Sequence, residues 1–292
     1  MSASRRSVRR GLGRKIRETI CCQVAPCYAQ TGSKAEAVLV WCDKLASTPG
    51  MGFAFDASLT PSASILAALA PVFEEWVLGH NDKLDFTIEK LDPFFLQVTS
   101  TTGYQYIVTP SKISVEFTHR LKLRQKTGGP PVAELTSEAL PFTALMPEIS
   151  KRLVAAAMLL PRIETRKLTR VGIISTTALD ETMMPPGIAR FIKYMARPWQ
   201  GAVENYSFML TSELRKETKS IDKCVHYLVK SDDPDQLPTI RFDWQRWFNP
   251  GQSVRMKLLE SALDGARDSA MTYLEQLAEG NCFDEDILRS GA

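Results

Sequence analysis

The segment from Lys112 to Thr118 constrains the fold more than any other. Ile113, Val115 and Phe117 alternate without a break with Lys112, Ser114, Glu116 and Thr118. A period of two describes a strand with one apolar and one polar face. Such a strand needs partner strands at its sides and a cover over its apolar face. The flanking sequence offers both. Upstream, Phe86 with Ile88, then Phe94 to Val98, then Tyr106 to Thr109 read as three more strands, with turns at Asp92-Pro93 and Thr102-Gly103. Downstream, after the loop Gly128-Gly129-Pro130-Pro131, the residues Leu145, Ile149, Leu153, Ala156 and Leu160 fall on one helical stripe that Pro161 closes.

The same order recurs on both sides of residue 164. In the first half, Ala37 to Cys42 and Met51 to Asp56 are short apolar runs that read as strands. Thr60-Pro61 then opens a helix carrying Ile65, Leu69, Val72, Phe73, Trp76 and Val77 on one face, with Pro71 inside it and Gly79 at its end. In the second half, Leu168 to Thr176 reads as a strand. Pro185-Pro186-Gly187 opens a short helix bearing Ile188, Phe191, Ile192 and Met195. Strands follow over Tyr206 to Leu210, Cys224 to Val229 and Thr239 to Trp244. A long helix has the stripe Leu259, Leu263, Ala266, Ala270, Leu274 and Leu277, and Gly280 stops it. The expectation is an α+β protein with a pseudo-duplicated arrangement of strand, helix, antiparallel sheet and long helix, its sheets covered by helices on one face. The units are a basic disordered tail over 1–32, one half over 33–163, a second over 164–280 and a frayed acidic tail over 281–292. The element order resembles the duplicated α+β arrangement of the TATA-binding-protein fold, an analogy of fold that implies no activity.

Charge is unevenly spread along the 292 residues. The first 20 hold Arg5, Arg6, Arg9, Arg10, Arg14, Lys15 and Arg17 against Glu18, a net +6, which leaves −3 for the rest of a chain whose total is +3. A basic tail on a mildly acidic body excludes a nucleic-acid footprint over the whole surface and leaves local patches open. Val8, Leu12, Ile16 and Ile20 stand four apart between those bases. The tail therefore also reads as a membrane-surface or nucleic-acid-binding arm, or as an organelle presequence. No apolar run reaches the length of a membrane helix, and no secretory signal is expected. Cys21, Cys22, Cys27, Cys42, Cys224 and Cys282 form no CxxC pair, so free thiols in a cytoplasmic setting are the simplest reading.

Phosphate-binding, dinucleotide-binding, nucleophile-elbow and zinc-protease signatures are absent from the sequence. His80, His119 and His226 are scattered, so no metal and no cofactor is expected. Asp222, Cys224 and His226 alternate on one strand and share a face, which makes them a candidate thiolate–imidazole constellation. The alternative is that Cys224 packs and His226 bonds to backbone. Arg120, Lys122, Arg124 and Lys126 alternate with Leu121 and Leu123. If the preceding strand runs on past His119, four cations line one face at a spacing that suits phosphates. Arg190, Lys193 and Arg197 form a second stripe on the short helix, and Arg162, Arg166, Lys167 and Arg170 a third cluster. Each reads equally as a solvated face. In Ile240 to Phe248, aromatics mix with cations as in platforms for single-stranded nucleic acid. Ile240, Phe242 and Trp244 also read as the buried side of a strand, with Trp247 and Phe248 stapling the next helix.

The strand Arg170-Val171-Gly172-Ile173-Ile174-Ser175, with Ile240-Arg241-Phe242-Asp243 and the helix Leu258 to Leu277, resembles a sporadically distributed, uncharacterised bacterial α+β protein family over roughly residues 84–279. That resemblance implies a bacterial cytoplasmic protein and transfers no catalytic residue. The functional expectation is a recognition protein, non-enzymatic, that binds a macromolecular partner through its sheet or loops, with homo-oligomers possible. Direct nucleic-acid binding by the basic stripes is the first alternative. An enzyme or ligand binder with its site between sheet and helices is the second.

Overall fold

The computed structural model describes residues 42–43, 45, 47–56, 64–65, 68–69, 86–124, 132–137, 140–180, 184–196, 205–231 and 237–282. The basic tail, Lys126, Arg197, residues 283–292 and most of the expected helix over 60–79 lie outside them. Eleven strands and three helices of eleven or more residues follow one another among the described residues. These are β1 (Thr48–Phe55), β2 (Phe86–Asp92), β3 (Phe95–Ser100), β4 (Tyr104–Thr109), β5 (Lys112–Phe117), β6 (Leu121–Arg124), β7 (Val132–Leu135), α1 (Phe142–Met158), β8 (Lys167–Ala178), α2 (Pro186–Ala196), β9 (Tyr206–Lys216), β10 (Ser220–Lys230), β11 (Thr239–Ser253) and α3 (Met256–Glu279). The protein is of mixed α+β class, built on an antiparallel sheet, as its periodicities predict. None of these helices is long and apolar enough to cross a membrane.

Nine strands form one sheet in the order β2-β3-β4-β5-β1-β8-β11-β10-β9, and β6 with β7 forms a separate two-stranded ribbon. Every pairing is antiparallel. The two halves of the chain therefore share a single sheet, joined where β1 pairs with β8 from Thr48 opposite Thr176 to Phe55 opposite Leu168. Ser47 and Thr177 close the end of this seam with a 2.6 Å hydroxyl–hydroxyl hydrogen bond.

Residues directly opposite in a ladder point to the same face. One row across the sheet runs Val98, Tyr106, Val115, Met51, Ile173, Trp244 and Cys224, and all seven are buried. This first face is the core. α1 packs on β1 and β5, α3 packs on β8 and β11, and the two helices touch. The stripe predicted for α1 is buried at Leu145, Ile149, Leu153 and Ala156, and all six stripe residues of α3 are buried. Each fully buried Phe, Leu, Ile or Met side chain contributes roughly 1.5–3 kcal/mol, so the first face supplies most of the stability. Gly280 adopts φ 89° at the end of α3, the left-handed cap its position predicts. Arg190 of α2 donates to the Glu279 carbonyl at 2.9 Å, placing a cation on the negative end of α3.

Four expectations need correction. Cys42 is helical, so a strand over Ala37 to Cys42 does not hold at its last residue. β5 stops at Phe117 and does not continue past His119, because its last bond to the β4 side, Thr118 N–H to the carbonyl of Gly103 (2.9 Å), reaches the turn before β4, and Arg120 bonds to Ser137 and Thr136 at the start of the β6–β7 ribbon. β9 runs to Lys216, since an edge strand needs no apolar face to keep its ladder. β11 runs past Trp244 to Ser253. Its ladder with β8 is interrupted between Trp247 and Gln252, and that interruption accommodates Pro250.

Candidate functional site

The second face of the sheet has a different chemistry. Its central strands carry Gly50 and Gly52 on β1 and Arg170, Gly172, Ile174 and Thr176 on β8, with Gly52 directly opposite Gly172 and Gly50 opposite Ile174, and Gly50, Gly52 and Ile174 are buried. The glycines at 50 and 52 are set by close approach. A Cβ on Gly50 would lie 2.9 Å from Cγ of Glu116, and one on Gly52 would lie 3.1 Å from the carbonyl of Ile113. Walls rise on both sides of this floor. On β5 stand Lys112, Ser114 and Glu116, and on β11 stand Thr239, Arg241, Asp243, Gln245 and Trp247. β5 and β11 are separated by β1 and β8, a span of three strand spacings or roughly 14 Å. Glu116 and Arg241 lean over the floor and meet at 3.6 Å, an arch over the seam between the two halves.

The β11 wall is a connected polar chain. Trp247 Nε1 donates to Gln245 Oε1 (3.0 Å), and Gln245 Nε2 donates to Asp243 Oδ2 (2.9 Å). Arg170 of β8 donates to the same Gln245 oxygen at 3.4 Å, with its guanidinium 4.7 Å from the centre of the Trp247 ring. Beside this chain a concavity of about 460 Å³ opens, lined by Thr176, Tyr227, Val229, Thr239, Arg241 and Asp243. Large apolar groups stand exposed on the same face, with Met209 at 66%, Val229 at 44%, Trp247 at 40% and Tyr227 at 36%. A half-exposed cation, two carboxylates, two threonine hydroxyls and a phenol among exposed apolar side chains can both orient and desolvate a partner. Among the described residues, no three His, Cys, Asp or Glu side chains are grouped to hold a metal ion.

Asp222, Cys224 and His226 do share a face, and it is the first, buried one. His226 Nδ1 lies 3.3 Å from the carbonyl of Leu210 and must donate to it, so Nε2 accepts from the Tyr273 hydroxyl at 2.6 Å. Burial holds the imidazole below its ordinary pKa. Cys224 is fully buried, and burial, with Asp243 nearby, pushes its thiol far up. Asp222 is engaged bidentately by Arg246 at 2.7 and 2.8 Å, and Arg246 also reaches Ser269 of α3 at 3.1 Å. The three are thus bound into strand and helix packing, with the thiol kept neutral.

The basic stripes are dispersed. Arg120 pairs with Glu89 at 2.8 Å. Lys122 and Arg124 alternate on β6, where Lys122 stands opposite Glu134 of β7. Arg190 caps α3, while Lys193 is exposed on α2. Arg166 is buried and donates to the carbonyls of Pro110 (3.1 Å) and Pro161 (3.4 Å). Ile240, Phe242 and Trp244 are core. Trp247 is not a helix staple. It belongs to the second face, because β11 continues beyond it.

The chain matches no family model, no curated protein and no solved structure. The second-face residues Glu116, Asp243 and Gln245 carry no motif. The signal open to sequence reading was the polar half of an alternation, Arg241, Asp243, Gln245 and Trp247 between Ile240, Phe242 and Trp244.

Proposed function

We propose that this protein is a recognition protein that binds a macromolecular partner through the second face of its sheet, with the concavity at Arg241 and Asp243 as the contact centre. The observation that carries the reading is the meeting of that concavity with exposed Tyr227, Val229 and Met209 on one face of the sheet. Arg241 and the polar residues of β11 set the partner's orientation, and the exposed apolar side chains beside them supply the surface it covers. The strand order supports a pseudo-duplicated architecture. Outward from the seam, β1-β5-β4-β3 is echoed by β8-β11-β10-β9, and α1 and α3 take corresponding places. In this reading both long helices cover the first face and leave the second for contact. Free thiols at Cys42, Cys224 and Cys282 accord with a reducing, cytoplasmic setting.

A photo-crosslinking residue placed at Tyr227 tests the reading in cells that make the protein. Adducts of discrete mass from position 227, lost in an Arg241→Glu background and absent from a probe at Lys193, are the expected result. Equal labelling from both positions, or none from 227, refutes it.

One observation favours nucleic acid as the partner. Trp247 and Tyr227 are exposed on the same face as Arg170 and Arg241, the mixture of rings and cations that single strands stack on. Titration of labelled single-stranded oligonucleotides decides this. Binding that weakens steeply with salt and is lost in Trp247→Ala supports the nucleic-acid form, and no binding at low salt removes it.

A further inference from the structure

Away from the Arg241 concavity, the second face carries a line of cations. Past the bulge at Leu214, Lys216 of β9 stands opposite Ile221 of β10, and the row continues through Trp247, Arg170 and Ala54 to Lys112 of β5. Residues opposite one another share a face, so this row crosses five strand spacings of the second face, roughly 24 Å. Lys223 stands in the adjoining row. The residue opposite it, Glu213, is the only carboxylate in the two rows between β9 and β5 among the described residues. Arg120, Arg215, Arg241 and Arg246 each reach a carboxylate. By contrast, the ammonium groups of Lys112, Lys216 and Lys223 have no ion pair or hydrogen bond among the described residues, and Arg170 gives one bond, to Gln245. Trp247 sits within this line, 40% exposed, with the Arg170 guanidinium over its ring at 4.7 Å from the centre.

We propose that this row is the contact line for a single-stranded nucleic acid. The strand crosses the sheet from β9 to β5, with its phosphates on Lys216, Lys223, Arg170 and Lys112 and one base stacked on Trp247. The inference rests on the reading of the second face as a recognition surface, and it names the partner's chemistry. The contact line is displaced from the concavity, because Trp247 and Arg241 lie six residues apart on β11, roughly 20 Å. An acidic peptide matches the cations alone, whereas nucleic acid matches the cations and the ring. A duplex is disfavoured because its bases are already stacked and paired, and a ring on a sheet face reaches an unpaired base.

Fluorescence anisotropy of a labelled oligothymidylate of about twelve nucleotides, titrated with the full chain at a series of salt concentrations, tests the proposal. Each phosphate contact contributes about −0.7 to the slope of log affinity against log salt. Lys112→Ala and Lys223→Ala, on either side of Trp247, should each make the slope shallower by about 0.7, while Lys193→Ala on α2 leaves it unchanged. Trp247→Ala should weaken binding about tenfold, and Trp247→Phe, which keeps a ring, should recover most of that loss. All variants carry the basic tail, so its contribution cancels in each comparison, and unchanged circular dichroism confirms that they fold. No binding at low salt overturns the proposal. So do slopes and affinities that none of the row variants moves. Discrete protein adducts from position 227 in that case leave the second-face reading standing without this partner, and their absence removes both.

Discussion

Removing the carboxylate of Asp222 should destabilise the protein more than any single change on the second face. Asp222 is buried on β10, and it holds Arg246 of β11 through two charge-assisted hydrogen bonds. Arg246 in turn carries the link to Ser269 of α3 and lies 5.2 Å from the Trp244 ring. In Asp222→Ala the guanidinium stays between sheet and helix without its counter-charge. Breaking a buried pair from one side costs about 3–5 kcal/mol. The Arg246 side chain keeps 19% of its surface exposed and retains Ser269 and Trp244, so the cost should fall at the low end, about 3 kcal/mol. For a chain of this size that lowers Tm by roughly 6–12 °C. Urea unfolding followed by tryptophan fluorescence measures it, since Trp244 reports on the same contact. The reasoning makes a second demand. In the double variant Asp222→Leu with Arg246→Met, both charges are gone and apolar volume replaces them. Stability should return to within about 1 kcal/mol of wild type. A single variant costing less than about 1 kcal/mol, or a double variant as unstable as the single, would refute the account.

Three other predictions follow from the same geometry. Gly50→Val places a branched side chain against Cγ of Glu116, and should cost about 1–3 kcal/mol in urea unfolding while weakening partner crosslinking from position 227. Burial lowers the folded pKa of both His226 and His119, the latter to about 4, below the unfolded value near 6.5. Their contribution is therefore complete above pH 6.5 and is lost as pH falls through each folded pKa, near pH 4 for His119. It should fall by up to about 1.4 kcal/mol per pH unit for each histidine, and a His119→Gln variant should flatten that slope. Among the described cysteines, Cys42 and Cys224 should resist thiol reagents until urea unfolds the protein. Cys282, half-buried with its pKa raised to about 11, should react first, and rapid native labelling of Cys224 would contradict its packing.

What the sequence disclosed was local. The alternation at Ile113, Val115 and Phe117, the stripe of α3 and its stop at Gly280 depend on neighbours within a few residues, and the structure has them where the periodicity put them. Contacts between distant residues were not legible. Cys224 and His226 looked like a reactive pair because their spacing is visible and Tyr273, 47 residues after His226, is not. Arg120 looked free because Glu89 lies 31 residues before it. Glu116 and Arg241 meet across a seam that no periodicity marks. Trp247 reads as a helix staple from its place after the alternation, whereas the ladder with β8 includes it and resumes at Gln252. The second face escaped notice because its polar residues are also what any solvated strand would show.

The seam between β1 and β8 also bears on how this chain is made. Thr48 and its ladder partner Thr176 are separated by 128 residues of chain. On a ribosome adding roughly 5–20 residues per second, β1 leaves the exit site about 6–26 s before β8 can reach it. Until then, β5 satisfies one side of β1 and the other stays an open edge, lined with Met51 and Phe53, in a half-sheet that cannot yet be completed. The nascent first half thus exposes the surface that the second half is built to take, and any strand from a neighbouring nascent chain competes for it. Pausing of translation before residue 167, or crowding of ribosomes on one message, would lengthen that exposure and divert chains into swapped or aggregated pairs.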